Sequence, residues 1–171
     1  FETNRTGSWA NGSYTAFGGT LNYSAVISVI SEDPGTVFGW RLHANDIYLG
    51  KINSTAVYQF VVGGVVWNQT SLSLGSAEQF TQFAGTDVSL TGYLNNTGVT
   101  VSCTVGSCGN ISRNFTNGGS LNGTSTNVRF NCTTDASGTF SANFSVVSDE
   151  DTYAHNISVT CTVTPDSFPA W

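Results

Sequence analysis

The chain has 171 residues, of which only 9% are charged, and a formal net charge of -6. That length suits one domain, or one domain with an extension, and is enough to bury a real core. The acidic balance argues against a nucleic-acid partner or an anionic membrane surface, both of which need a basic face, and no stretch reaches the roughly 20 apolar residues of a membrane-spanning helix.

Residues 1–19 are rich in Gly, Asn, Ser and Thr but punctuated by Phe1, Trp9, Tyr14 and Phe17, the composition of an extension rather than a core. A start at Phe1 without a methionine fits a processed product, as an arbitrary boundary would. From Leu21 onward, period-two segments bounded by Gly, Asn, Asp and Ser recur to the end, and no window carries a sustained helical stripe. Strands are expected near 21–30, 36–43, 46–52, 56–67, 70–75, 87–94, 99–105, 128–134, 139–147 and 156–164. Glu32-Asp33-Pro34-Gly35 reads as a turn, Asp135-Ala136-Ser137-Gly138 as a hairpin turn, and Ser76 to Ala84 has room for one helical turn.

The segment 56–67 is apolar on both faces, with Tyr58, Phe60 and Val62 on one and Val57 and Val61 on the other, as suits a central or interface strand. Many short strands with polar turns define an all-β class. The expected architecture is an immunoglobulin-like or pilin-like β-sandwich with an extended N-terminal tail strand, the tail spanning 1–19 and the sandwich 20–171.

Acceptor motifs Asn-x-Ser/Thr begin at Asn4, Asn11, Asn22, Asn53, Asn68, Asn95, Asn110, Asn114, Asn122, Asn131, Asn143 and Asn156, twelve of sixteen asparagines. Chance would place about four there, so the excess points to N-linked glycosylation and hence to the cell exterior. Covalent glycans would supply the solvation that scarce charges do not. Strand parity agrees: Phe140, Ala142, Phe144 and Val146 alternate with Ser141, Asn143 and Ser145, and Ile157, Val159, Cys161 and Val163 alternate with Asn156, Ser158, Thr160 and Thr162.

Four cysteines in an extracellular chain imply two disulfides. Parity turns Cys103 inward on one face with Val99, Val101 and Val105, turns Cys132 and Cys161 inward too, and leaves Cys108 in a turn, favouring Cys103 with Cys108 and Cys132 with Cys161. The swap of Cys103 with Cys161 and Cys108 with Cys132 stays open. No Cys or His pair has zinc-ligand spacing.

His43 and His155, the only histidines, sit in no nucleophile or metal motif, and Asp149-Glu150-Asp151 reads as a solvated turn. With no hydrolase, phosphate-loop or metalloprotease motif, the expectation is a chain that is not an enzyme and takes no cofactor beyond its glycans.

Motif-free stretches at 23–52 and 69–94, together with the apolar 56–67, leave bare surface for a like neighbour. Tyr58, Phe60 and Val62 are the expected acceptor groove. An aromatic tail can complete a neighbour's sheet by strand addition, and such head-to-tail contacts generate filaments. Phe1, Thr3, Gly7 and Trp9 share one face of the tail and are the candidate donor residues, with Arg5 against them; Leu21 to Ile30 is a more apolar alternative donor.

The aromatic-dotted tail Phe1-Glu2-Thr3-Asn4-Arg5-Thr6-Gly7-Ser8-Trp9, the β-rich body, the dense motifs and the single lysine together resemble the archaeal thread subunits, glycosylated extracellular pilins. The resemblance implies a pilin body whose missing strand comes from the tail of the adjacent subunit, giving a homopolymer on the cell surface that serves adhesion or biofilm contacts with other cells or surfaces. It departs from type IV pilins and archaellins, which open with a long hydrophobic helix. Two rivals are a domain of a surface-coat or viral envelope glycoprotein, and a carbohydrate-binding adhesin using Trp9, Trp40, Trp67 or Trp171 as platforms.

Overall fold

The computed structural model describes residues 2–3, 10–11, 33–41, 43–46 and 51–167, with side chains for 33–41 and 55–167. Every element among them is a β-strand. The chain divides into two compact units, Phe1–Val62 and Gly63–Trp171. The boundary between these units falls at Val62–Gly63; residues 19–20, the expected end of the tail, lie outside the described residues, as does the strand expected at 21–30.

The first unit contains β1 (Glu2–Thr3), β2 (Ala10–Asn11), β3 (Val37–Arg41), β4 (His43–Asp46), β5 (Lys51–Ser54) and β6 (Tyr58–Val61). Its main sheet has the order β2-β1-β3-β6, and β4 pairs with β5 separately. The expected turn before β3 is present: Thr36 donates to the Asp33 carbonyl from its amide at 3.2 Å and its hydroxyl at 2.7 Å, and Gly35 takes φ 90°. Antiparallel register sets Phe38 opposite Phe60 and Trp40 opposite Tyr58, so four rings share one face, with centroid separations of 5.2 Å and 4.8 Å in the two pairs.

The expected continuous strand 56–67 is in fact two. β6 closes the first unit, and β7 (Gly64–Trp67) opens the second. Gly64, at φ 132°, adopts a conformation closed to side chains, so the Gly63-Gly64 pair interrupts the apolar run. Nor is β6 central: it ends its sheet among the described residues.

The second unit continues with β8 (Ser71–Glu78), β9 (Thr86–Tyr93), β10 (Asn95–Gly106), β11 (Ile111–Arg113), β12 (Gly119–Asn122), β13 (Ser125–Cys132), β14 (Gly138–Val147) and β15 (His155–Thr164). Two sheets form, β11-β13-β9-β7 and β12-β10-β14-β15-β8. This is the immunoglobulin arrangement, with β7-β9-β13-β11 in the places of strands A-B-E-D and β10-β14-β15 in those of C-F-G. β8 continues the first strand into the opposite sheet and runs parallel to β15.

The inward faces of both sheets make one core. Val65, Leu90, Val128 and Phe130 meet Val101, Phe144, Val146, Ile157 and Val159, and the Phe130 and Phe144 rings contact edge to face at 4.9 Å. β15 is flanked by β14 and β8, so this sandwich has its full set of strands.

Several local expectations are corrected. Asp135–Gly138 is a crossover between sheets rather than a hairpin, since β13 and β14 lie in different sheets and both bury a face in the shared core. The stretch 76–84 holds the end of β8 and a turn, without a helix. Val105 is 64% exposed because a bulge between Cys103 and Val105 breaks the alternation. A second bulge shifts the β8–β15 register where Gly75 takes φ 85°. The short β11 and β12 carry too few residues for periodicity to reveal.

Candidate functional site

Eight acceptor asparagines have described side chains, and none is buried. Asn68, Asn95, Asn114, Asn122, Asn143 and Asn156 are exposed, and Asn110 and Asn131 are half-buried. Asn4, Asn11, Asn22 and Asn53 have side chains outside the described residues. The contrast is sharpest at the Asn95-Asn96 doublet. Asn95 carries the motif and faces solvent, while Asn96, without one, is 0% exposed. Asn96 Nδ2 donates to the Tyr93 carbonyl at 2.8 Å, and its Oδ1 accepts from Ser148 Oγ at 3.1 Å. No sequence pattern marked Asn96 as a core residue; only the turn that folds around it does.

The four cysteines form Cys103–Cys108 and Cys132–Cys161. The second bridge ties β13 to β15 across the two sheets, while the first closes a five-residue separation at the end of β10. Both cysteines of the cross-sheet bridge lie in the core. Cys103 is only half-buried and Cys108 exposed. Persisting disulfides belong to an oxidising compartment, so the chain is a secreted or extracellular β-domain protein. Among the described residues, no helix is long and apolar enough to cross a membrane.

The expected acceptor residues lie together on one face of the first unit. Tyr58 is 51% and Phe60 40% exposed on β6. Val62, just past it, is half-buried and exchanges backbone hydrogen bonds at 2.9 Å with Gly35 and Thr36. Of the expected donor residues, only Thr3 is described. It lies on β1, which pairs within its own chain, Thr3 opposite Trp40 of β3. Phe1, Gly7, Trp9 and the alternative donor 21–30 lie outside the described residues. Of the tryptophans offered as platforms, Trp67 is a core residue whose Nε1 donates to the His155 carbonyl at 3.1 Å. Trp40 is stacked on Tyr58, and Trp9 and Trp171 are not described.

Charged groups serve as braces. Arg129 on β13 grips Asp87 on β9 with Nε to Oδ1 at 2.7 Å and Nη2 to Oδ2 at 3.0 Å, holding the Asp87 carboxyl below its usual range and raising the guanidinium. The Thr97 amide and hydroxyl each donate to Glu150 at 2.7 Å, which holds that carboxyl below the ordinary range. Arg113 donates to the Phe115 and Val101 carbonyls, and its desolvation lowers its pKa. His155 Nε2 meets Asp151 Oδ2 at 3.0 Å. Among the described residues, no group of His, Cys, Asp and Glu could hold a metal ion.

No protein-family model matches this sequence, and neither does any curated protein. Several solved structures resemble the chain at low identity. A family 123 glycoside hydrolase from Clostridium perfringens is 13% identical over 60% of this chain and 24% of its own, with a TM-score of 0.48. The D00-D0 domain of intimin is 15% identical over 79% and 68%, with a TM-score of 0.45. An endo-fucoidan hydrolase of glycoside hydrolase family 107 is 14% identical over 78% and 19%, with a TM-score of 0.38. The chain thus spans about a quarter or less of the two hydrolases. The expectation that the chain is not an enzyme is not upheld, since glycoside hydrolases are among the solved structures it resembles. The likeness is one of fold and assigns this chain no reaction.

Proposed function

We propose that this chain is the structural subunit of an extracellular, N-glycosylated surface filament of the archaeal-thread type, in which a strand from the N-terminal region of one copy adds to the sheet of the next. The reading is carried by β6, an edge strand in the described sheet with Tyr58 and Phe60 exposed on a four-ring face. An apolar edge of this kind offers backbone donors and acceptors together with side-chain anchors, the two ingredients of strand addition. The completeness of the Gly63–Trp171 sandwich favours the first unit as acceptor, since β15 has neighbours on both sides. β1 pairs with β3 in its own chain, on the side of β3 away from β6, so the β6 edge is the one offered to a neighbour's strand.

Exposure of Asn68, Asn95, Asn114, Asn122, Asn143 and Asn156 supports a glycan coat over the surface around them. Filaments would serve contacts with other cells or surfaces. Deletion of residues 1–30, which removes both candidate donor segments, is expected to abolish polymerisation seen by negative-stain microscopy, with the Gly63–Trp171 sandwich still folded by circular dichroism. Long filaments from the deleted chain would overturn donor-strand exchange.

A further inference from the structure

Two acceptor motifs face each other across β11 and β13. Asn110-Ile111-Ser112 and Asn131-Cys132-Thr133 run antiparallel, with Ile111 opposite Cys132 and Ser112 opposite Asn131. At the end of this pairing Asn110 meets Thr133: the Thr133 amide donates to the Asn110 carbonyl at 2.8 Å, the Thr133 hydroxyl donates to it at 3.3 Å, and Asn110 Nδ2 reaches that hydroxyl at 3.5 Å. Each asparagine therefore stands beside the hydroxyl residue that completes the other's motif. The middle residues are both core, Ile111 at 1% and Cys132 at 6% exposure, and Cys132 is fastened to Cys161.

Glycosyl transfer makes demands that this arrangement refuses. The asparagine nitrogen is a weak nucleophile, its lone pair delocalised into the carbonyl, so a transferase must grip the amide and the motif's hydroxyl together. Nδ2 then bonds to C1 of the sugar of a lipid-linked phosphate donor. The bond from C1 to the phosphate oxygen breaks, the phosphate-bearing lipid leaves with that electron pair, and one amide proton passes to a base on the enzyme. Such a grip requires the three residues to leave the sheet. For Asn131 this means parting β13 from β11 and withdrawing Cys132 from the core against its disulfide.

We propose that Asn110 and Asn131 are a reciprocal acceptor pair, glycosylated only before β11 pairs with β13, so that folding closes both sites in one event. This rests on the reading that the Asn-x-Ser/Thr motifs carry glycans. Asn68 is the internal contrast. It lies in the bend between β7 and β8, exposed together with Thr70, and stays open to a transferase after folding.

The unglycosylated chain, once oxidised and folded and once reduced and unfolded, is offered to an oligosaccharyltransferase with its lipid-linked donor, and occupancy at each asparagine is read by mass spectrometry. The unfolded chain is expected to accept sugar at Asn68, Asn110 and Asn131. In the folded chain, Asn68 keeps its occupancy while Asn110 and Asn131 fall together by at least about tenfold, because transfer then waits on local opening. Undiminished transfer to either member of the pair in the folded chain overturns the proposal and leaves the glycan reading intact. A folded chain closed at Asn68 too also overturns it, since strand pairing would not be what closes the sites. Transfer nowhere in either state overturns the glycan reading itself.

Discussion

Ser148 and Asn96 meet through side chains 3.1 Å apart inside the second unit, joining the loop after β14 to the start of β10. The Asn96 amide also donates to the Tyr93 carbonyl, where Leu94 takes φ 62° as the chain passes from one sheet to the other. A buried amide with both ends satisfied fixes a corner that hydrophobic packing alone would leave loose.

Asn96→Ala takes the acceptor from the buried Ser148 hydroxyl, which keeps only the Asp151 amide donating to it, and one donor from the half-buried Tyr93 carbonyl; a buried group left unsatisfied costs about 1–3 kcal/mol. Asn95→Ala removes an exposed side chain and is expected to stay within about 0.5 kcal/mol. Urea denaturation of the unglycosylated chain separates the two neighbours. Equal midpoints would show that the buried amide contributes nothing.

The disulfides differ in the loops they close, separations of 29 residues for Cys132–Cys161 and five for Cys103–Cys108. Chain entropy then assigns about 3.5 kcal/mol to the first and about 2 kcal/mol to the second. Paired Cys→Ser variants compared by thermal melting should show the larger loss for the cross-sheet bridge. The reverse order would point to native packing around Cys103 as the dominant effect.

Acid sensitivity follows from Glu150. Its folded-state pKa lies below the unfolded value because Thr97 donates to it twice. Its contribution to stability is complete above the unfolded carboxylate range and is lost as pH falls through the lower folded pKa. Asp87, lowered by Arg129, acts in the same direction. A Glu150→Gln chain should lose less stability than the parent on acidification, read as the pH dependence of the denaturation midpoint. Parallel pH curves for the two proteins would refute a role for this contact.

A charge on the edge strand tests the assembly reading. Tyr58→Arg places a cation on the exposed ring face where Tyr58 stacks on Trp40, and exposed edge charges oppose strand addition. Filament yield by microscopy should fall at least about tenfold, while Gly63–Trp171 melts as in the parent. Filaments of normal length and number would remove β6 from the interface.

How far the sequence could be read depends on the range of the forces involved. Alternation in 139–147 and 156–164 located β14 and β15 within a residue because each strand buries one face, and burial of one face is a local constraint written every second residue. The same parity placed Cys132 and Cys161 inside and Asn143 and Asn156 outside. It failed at Val105, where a bulge shifts the register, and at 135–138, where turn residues suit a hairpin and a crossover between sheets equally well.

The sequence by itself determined the all-β class, the strand periods, the oxidising compartment implied by its cysteines and the outward placement of its described acceptor asparagines, since each follows from residue chemistry within a few positions. Only the tertiary structure decided which strands share a sheet, that 56–67 breaks at Gly63-Gly64, that Asn96 is a core residue, and that Asn110 and Asn131 face each other across two strands. Those outcomes depend on partners up to dozens of residues apart, whose pairing is chosen by the shared core and left unmarked in either segment.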